Sequence, residues 1–249
     1  MSSKSFNWVS ARAFSSFFIL FIGLLISHSC FAKKPTILVF TKTAGFRHGS
    51  IEVGKKAIAK LGEENGFKVD TTSNADFFTK KTLKKYAAVV FLNTTGDVLD
   101  PSQEKAFEQY IRKGGGYVGV HAASDTEYDW EWYGRLVGAY FMNHPKQQTA
   151  KLDIVDSTHI STKHLPNPWM HFDEFYDFKN ISSETTKLIL IDENSYEGGK
   201  NGDYHPMAWY HDFDGGRAFY TGLGHTDKSY SDPMFLQHLL GGIRYAIGK

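Results

Sequence analysis

The stretch Gly114-Gly115-Gly116-Tyr117-Val118-Gly119-Val120-His121-Ala122-Ala123-Ser124-Asp125 decides how this chain is read. Glycines follow an amphipathic helical run, and an apolar strand then delivers a histidine, two alanines, a serine and an aspartate. Small residues around a polar one at a strand's end predict a tight strand-to-helix corner, because bulky neighbours would clash there. Such a corner holds one side chain out at the top of a parallel sheet. In nucleophile elbows that residue is Ser or Cys. Here it is His121, poor at attack on an acyl carbon but good at moving protons or binding metal. The plainer alternative is a buried histidine satisfied by hydrogen bonds.

Upstream of this stretch, strands and helices alternate. Thr36 to Phe40 is a short apolar run fitting a buried first strand. Its loop, Thr41 to Gly49, leads to Ser50 as a helix N-cap without a capping box, and Asn65-Gly66 stops that helix. Phe67 to Thr71 reads as a second strand, Thr79 to Lys85 as a short helix and Ala87 to Asn93 as a third strand. Pro101 opens the next helix at a first-turn position, and Gly114 ends it. This order predicts an α/β fold, a doubly wound, mostly parallel sheet of flavodoxin type, in which ligands bind outside the carboxyl ends of the strands. His48, Asn93 and His121 then share one rim.

Downstream the pattern changes. Trp130 to Gly138 reads as a helix, and Gln147 to Val155 and Lys187 to Ile191 as strands. Met207 to Phe213 and Arg217 to Leu223 form a hairpin around Asp214-Gly215-Gly216, and Pro233 to Ile247 is a closing helix. With no linker or repeat in view, the later strands are expected to extend the same sheet, antiparallel.

Charge is balanced, 28 Lys+Arg against 27 Asp+Glu, so nothing marks a nucleic-acid partner. The sequence sets no oligomeric state. Aromatic residues make up 15% of the chain, many of them beside Gly, His and Asp in loops that suit sugars as well as core packing. At the N-terminus, Lys4 and Arg12 precede the uncharged apolar run Phe14 to Ile26, and Ser29-Cys30-Phe31-Ala32 comes before Lys33-Lys34-Pro35. Residues 1 to 32 read as a signal peptide, residues 33 to 249 as one domain, and the mature protein as periplasmic or secreted without a stable membrane span. An uncleaved anchor and a lipoprotein through Cys30 are the weaker alternatives. The apolar run is short for a span, and Ser27-His28-Ser29 is a poor approach to a lipidated cysteine. Cys30 is the single cysteine, so cleavage after Ala32 removes disulfides, cysteine nucleophiles and thiolate metal sites together.

Residues of catalytic type concentrate in loops: Phe46-Arg47-His48, Asn143-His144-Pro145, Asp173-Glu174-Phe175-Tyr176, His205-Pro206 and Gly224-His225, from a chain with 11 histidines. Asp173 and Glu174 are adjacent, so on a strand only one faces a given cleft, and Glu174 then shares its face with Tyr176. Arg47 either clamps a ligand or neutralises a carboxylate. His205 and His225 either act directly or support a group that does. Two chemistries fit: proton transfer beside a carbonyl, or binding of Zn²⁺ or another divalent ion by imidazole and carboxylate. No H-x-x-x-H spacing supports the metal. There is no G-x-S-x-G, phosphate-cradling loop or dinucleotide fingerprint.

The chain resembles the ThuA-like (trehalose-utilisation) family, which shares the class I glutamine amidotransferase-like fold. The resemblance runs through Thr43-Ala44-Gly45-Phe46-Arg47-His48, Asn93-Thr94-Thr95-Gly96-Asp97 and Gly114 to Ala123. It continues through Asp173-Glu174-Phe175-Tyr176, His205-Pro206-Met207-Ala208-Trp209 and Thr221-Gly222-Leu223-Gly224-His225, spanning about Thr36 to Gly248. The amidotransferase cysteine is absent, with His121 at the elbow, which removes glutamine hydrolysis. At Asp156-Ser157-Thr158-His159-Ile160 many relatives have proline after the histidine, so no role is carried to His159. The resemblance implies handling of sugars or oxidised 3-keto-glycosides. Cleavage or isomerisation by acid–base chemistry is the first reading, and a non-catalytic sugar-binding protein the second. Taken together, these readings place catalysis on His48, His121, Glu174 and His225. Substrate contacts fall to Phe46, Arg47, Asn93, Asp125, Asp173, Tyr176, His205 and Trp209.

The N-terminal reading makes a direct expectation. N-terminal sequencing of protein from its native host should find a chain beginning near Lys33, whereas one retaining Phe14 to Ile26 defeats the signal-peptide reading.

Overall fold

The computed structural model describes residues 1–3 and 34–248. The expected signal peptide, its Cys30 and the cleavage point lie outside the described residues. Nine strands form one sheet, built outward from β1 (Thr36–Phe40). Helix α1 (Ile51–Asn65) crosses to β2 (Lys68–Thr72), α2 (Lys80–Leu83) leads to β3 (Ala88–Leu92), and α3 (Pro101–Ile111) leads to β4 (Gly116–Val120). After α4 (Glu131–Val137) come β5 (Tyr140–Asn143), β6 (Gln148–Ile154), β7 (Trp169–Asp173), β8 (Asp177–Lys179) and β9 (Thr186–Ile191). The hairpin of β10 (Pro206–Phe213) and β11 (Gly216–Thr221) and the helix α5 (Pro233–Ile247) close the chain.

The strand order is β2-β1-β3-β4-β11-β10-β9-β6-β7. The first five are mutually parallel, in the flavodoxin order with β11 as fifth strand, and the remaining pairs are antiparallel. This is the doubly wound sheet with appended antiparallel strands that the sequence predicts. Helix boundaries follow local chemistry. Gly66 and Gly138 adopt the left-handed conformation that ends α1 and α4. Asp100 caps α3 through a capping box with Gln103, and Pro101 fills its first turn. Asp214 and Gly215 both have positive φ, as a tight two-residue hairpin turn requires.

Several expectations need correction. β2 and the short α2 are each displaced or shortened by a residue or more, and α3 ends at Ile111 rather than at Gly114. Ser50 precedes α1 but makes no capping hydrogen bond; its hydroxyl instead donates to the Gly224 carbonyl at 3.3 Å. Three short strands, β5, β7 and β8, had no sequence signal of their own, and β5 pairs with β8 in a separate two-stranded sheet.

The inner parallel strands β1, β3 and β4 read as largely apolar runs and are almost wholly buried, as strands covered on both faces are, while the edge strand β2 is polar and mostly exposed. Gly116 is needed where α5 closes on the sheet, since a Cβ there would stand 2.2 Å from the Ala246 carbonyl oxygen. No helix among the described residues is long and apolar enough to cross a membrane.

Candidate functional site

The corner after β4 is a single 3₁₀ turn, His121–Ser124, and His121 enters it with φ of 48°, a left-handed conformation costly for a side-chain-bearing residue. Neighbouring groups hold it there. His121 Nδ1 donates to the Gly222 carbonyl at 2.8 Å, and the Tyr220 hydroxyl donates to the His121 carbonyl at 2.7 Å. A carbonyl can only accept, so the proton of a neutral His121 sits on Nδ1 and its Nε2 lone pair faces the cluster.

Three further side chains from distant segments converge on Nε2. His225, just after β11, places Nδ1 at 3.1 Å, and Glu174, just after β7, places Oε2 at 3.5 Å. The His225 and Glu174 atoms are themselves 3.0 Å apart. His48, from the loop after β1, packs edge-on against both imidazoles at centroid distances of 5.0 and 5.1 Å. Thus His48, His121, Glu174 and His225 meet at the carboxyl ends of β1, β4, β7 and β11, and one ligating atom from each lies within 4.8 Å of the others. The cluster is largely buried; His225 retains some exposure.

The electrostatics follow from this packing. Burial would raise the Glu174 carboxyl, but the His121 and His225 imidazoles beside it outweigh burial and hold Glu174 well below the usual carboxylate range. Burial, reinforced by the neighbouring imidazoles, pushes His48 down to about 3, so it is neutral. Its Nδ1 is buried without a hydrogen-bond partner, and its Nε2 lies 3.4 Å from the Tyr176 hydroxyl. Tyr176 covers His121, ring against ring at 4.1 Å. His144, half-exposed at the rim, puts Nδ1 at 3.2 Å from Glu174 Oε1. Sequence reading noted its loop without assigning it a role; a histidine beside a Pro on an unrecognised strand end gave no stronger signal.

The other expected contact residues divide. Phe46 stands exposed at the rim, edge-on to His48 at 4.9 Å, and Asp125 is half-buried, accepting from the Tyr128 hydroxyl at 2.6 Å. Arg47 pairs with Glu52 at the surface at 2.9 Å, which favours the neutralising role over the clamp. Four do not reach the cluster's open side. Trp209 is core, its indole donating to the Val137 carbonyl at 2.7 Å. His205 is fully buried against Glu193, Asp177 and the Tyr176 carbonyl. Asn93 is buried scaffold, donating to Ser50 Oγ at 3.1 Å.

Asp173 is the fourth. Its buried carboxylate accepts from the backbone N–H of Gly224 at 2.7 Å, His225 at 3.1 Å and Thr226 at 3.3 Å, and from the Ser229 hydroxyl at 2.9 Å. Burial would raise it, yet the His171 imidazole 3.4 Å away and these donors keep it below its ordinary value. Asp173 therefore sets the loop that carries His225, while Glu174 faces the histidines, the opposed pointing expected of neighbours at a strand end.

An α/β sheet of flavodoxin order, with imidazoles and a carboxylate gathered at its carboxyl rim, has the ThuA-like and glutamine amidotransferase-like fold. Residues 36–246 match the ThuA family, described as trehalose utilisation, and the chain belongs to that family. Among solved structures it is similar to a thua-like protein from Bacteroides uniformis, with 22% identity, 88% of this chain and 94% of that one covered, and a TM-score of 0.74. A thua-like protein from Parabacteroides merdae is similar at 22% identity, covering 86% and 91%, with a TM-score of 0.71. A cytoplasmic protein from Salmonella typhimurium shares the fold at 8% identity, covering 85% and 98%, with a TM-score of 0.60. Comparison with curated proteins gave no sequence match.

Replacing the Asp173 carboxylate tests its anchoring role. In Asp173→Asn the amide NH₂ turns against N–H donors that now face no acceptor, and stability should fall by about 1–3 kcal/mol for each donor left unpaired. Urea unfolding measures this; an unchanged midpoint would show that the loop is held by other contacts.

Proposed function

We propose that this is an exported carbohydrate-processing enzyme acting on keto-sugar or disaccharide derivatives, 3-keto-glycosides among them, by proton transfer beside the carbonyl. The observation that carries the reading is the convergence of His121 Nε2, His225 Nδ1 and Glu174 Oε2 within 3.0–3.5 Å of one another in a largely buried cluster. The family's description as trehalose utilisation supports a carbohydrate substrate. The apolar N-terminal run supports export.

A keto group acidifies the C–H beside it. Removal of that proton by an imidazole leaves an enediolate, whose charge is stabilised by donors already fixed in place. Returning the proton to the departing glycosidic oxygen gives cleavage; returning it to the neighbouring carbon gives isomerisation. His121 is suited to the transfer because its Nδ1–H is fixed on Gly222, leaving Nε2 as the working atom. Glu174, held ionised, stabilises an imidazolium formed at His121 or His225. His225, with partial exposure, links the cluster to solvent.

The same donors fit a divalent cation such as Zn²⁺. Tetrahedral ligands about 2.0–2.2 Å from a metal lie roughly 3.3–3.6 Å apart, close to the 3.0–3.5 Å found in this triad, and His48 supplies a fourth nitrogen donor within 4.8 Å of the others. When bound, such an ion polarises a substrate oxygen or acidifies a water. His48, His121, Glu174 and His225 would hold it.

Purified protein should turn over 3-keto-glycosides. His121→Asn should lower turnover by about 10²–10⁴-fold with little change in thermal unfolding. Sugar binding by calorimetry without any turnover would instead mark a binding protein, the second reading. Elemental analysis after mild purification is expected to find one metal bound at the His/Glu cluster, lost together with activity on chelation. Full activity in metal-free protein would leave proton transfer by the side chains alone.

A further inference from the structure

A second group of ligating side chains, separate from the cluster above, is formed by Asp177, Glu193 and His205. His205 Nε2 donates to the Tyr176 carbonyl at 2.8 Å, which places its proton on Nε2. Its Nδ1 faces inward, 2.8 Å from Glu193 Oε1, 3.2 Å from the Tyr196 hydroxyl and 4.0 Å from Asp177 Oδ1. Asp177 is fully buried; its Oδ1 accepts from the Lys200 N–H at 2.7 Å, while its Oδ2 has no hydrogen-bond partner at all. Glu193 Oε1 already accepts from the N–H groups of Asn201 and Gly202 at 2.7 and 2.9 Å, and Oε2 takes no hydrogen bond among the described residues. Asp177 Oδ2 is thus an orphaned oxygen of a buried carboxylate, set beside a second carboxylate and an imidazole, an arrangement that is costly unless a cation offsets it.

A second observation points the same way. Glu193 also lines a cavity of about 400 Å³ with Asp153, Asp192, Asp203 and Gly202. Lys151 pairs with Asp153 and Asp192 at 3.3 and 3.2 Å, one cation against the four acidic residues that line the cavity, which leaves it acidic. Such a cleft concentrates cations at its floor.

We propose that Asp177, Glu193 and His205 form a divalent-cation site, reached through this acidic cleft, for an ion that accepts nitrogen as well as oxygen, Zn²⁺ or Mn²⁺. One divalent ion would take one ligand atom from each of the three residues, which lie within 4.8 Å of one another, and would give the orphaned Asp177 carboxylate a partner. Its role is positioning. Holding His205 fixes the Tyr176 carbonyl, and with it the ring that lies 4.1 Å from His121; holding Glu193 fixes the loop at Asn201 and Gly202. The site rests on ligands distinct from those of the His121 cluster, and its test gives the same answer whether or not the protein turns over a sugar.

The test uses the full chain carrying His121→Asn, Glu174→Gln and His225→Asn, which leaves the first cluster His48 alone, too few donors to hold an ion. This protein is titrated with Zn²⁺, Mn²⁺ and Ca²⁺ while bound metal and unfolding temperature are measured. Zn²⁺ or Mn²⁺ should bind at about one ion per chain and, at a hundredfold excess over Kd, raise the midpoint by about 5–10 °C; Ca²⁺ should be weaker. Adding Asp177→Asn should abolish both the bound ion and the shift. His205→Gln provides the same readout should Asp177→Asn fail to fold. Two results would overturn the proposal: no bound Zn²⁺ or Mn²⁺ with no shift, meaning an ion pair held by an imidazolium, or an ion retained after both substitutions.

Discussion

The buried carboxylate of Asp173 joins the two halves of this molecule. It ends β7, the outermost antiparallel strand, yet its oxygens are taken up by the loop that follows β11, the last of the parallel strands. A carboxylate buried among backbone N–H groups offsets its desolvation only when every one of those donors is in place. The loop from Gly224 to Ser229 is therefore shaped around Asp173, and the side chains on either side of the joint, Glu174 and His225, arrive 3.0 Å apart as a consequence. The appended strands are in this sense part of the site: without β7 the parallel sheet has its histidines but no carboxylate among them.

Two of the residues with left-handed backbone lie in the same region. Asn93 and His121 both adopt positive φ at the ends of adjacent strands, and Asn93 lends its side chain to the Ala122 N–H and to Ser50. Neither conformation is favourable for a residue with a Cβ, and each persists because the surrounding hydrogen bonds over-determine it. Asn93 therefore supports the corner from below rather than meeting a ligand.

Much of this was legible in the sequence, for identifiable reasons. The parallel half announces itself because buried strands are continuous apolar runs and the helices between them carry clear stops, as at Gly66 and Gly138. The corner at His121 could be read from the small residues that crowding demands. β5, β7 and β8 could not, being three to five residues long, with aromatic and polar residues mixed. The rim histidines stand at strand ends, where sequence order predicts them. Burial is a different matter. Trp209, His205 and Asn93 sit in motifs as polar or aromatic as those of His48 and His225, and only the packing of Val137, Glu193 and Ser50 against them shows that they face inward. The separation of Asp173 from Glu174 was half legible: alternation says that they diverge, but not which one the histidines receive.

The strand order carries a consequence for how the protein is made. β11 is the last strand in the chain but lies inside the sheet, paired with β4 on one side and β10 on the other. A ribosome has released more than two hundred residues before the strand that fills this gap exists, and until then β4 and the antiparallel strands each expose an unpaired edge. Closing the sheet is then a long-range event, slow relative to the local helices. It is also the event that brings His225 to His121. The chain thus assembles its candidate site only when the interior edges at β4 and β10 are closed, so a partly folded chain is open to edge pairing and lacks the His121–His225 pair at once.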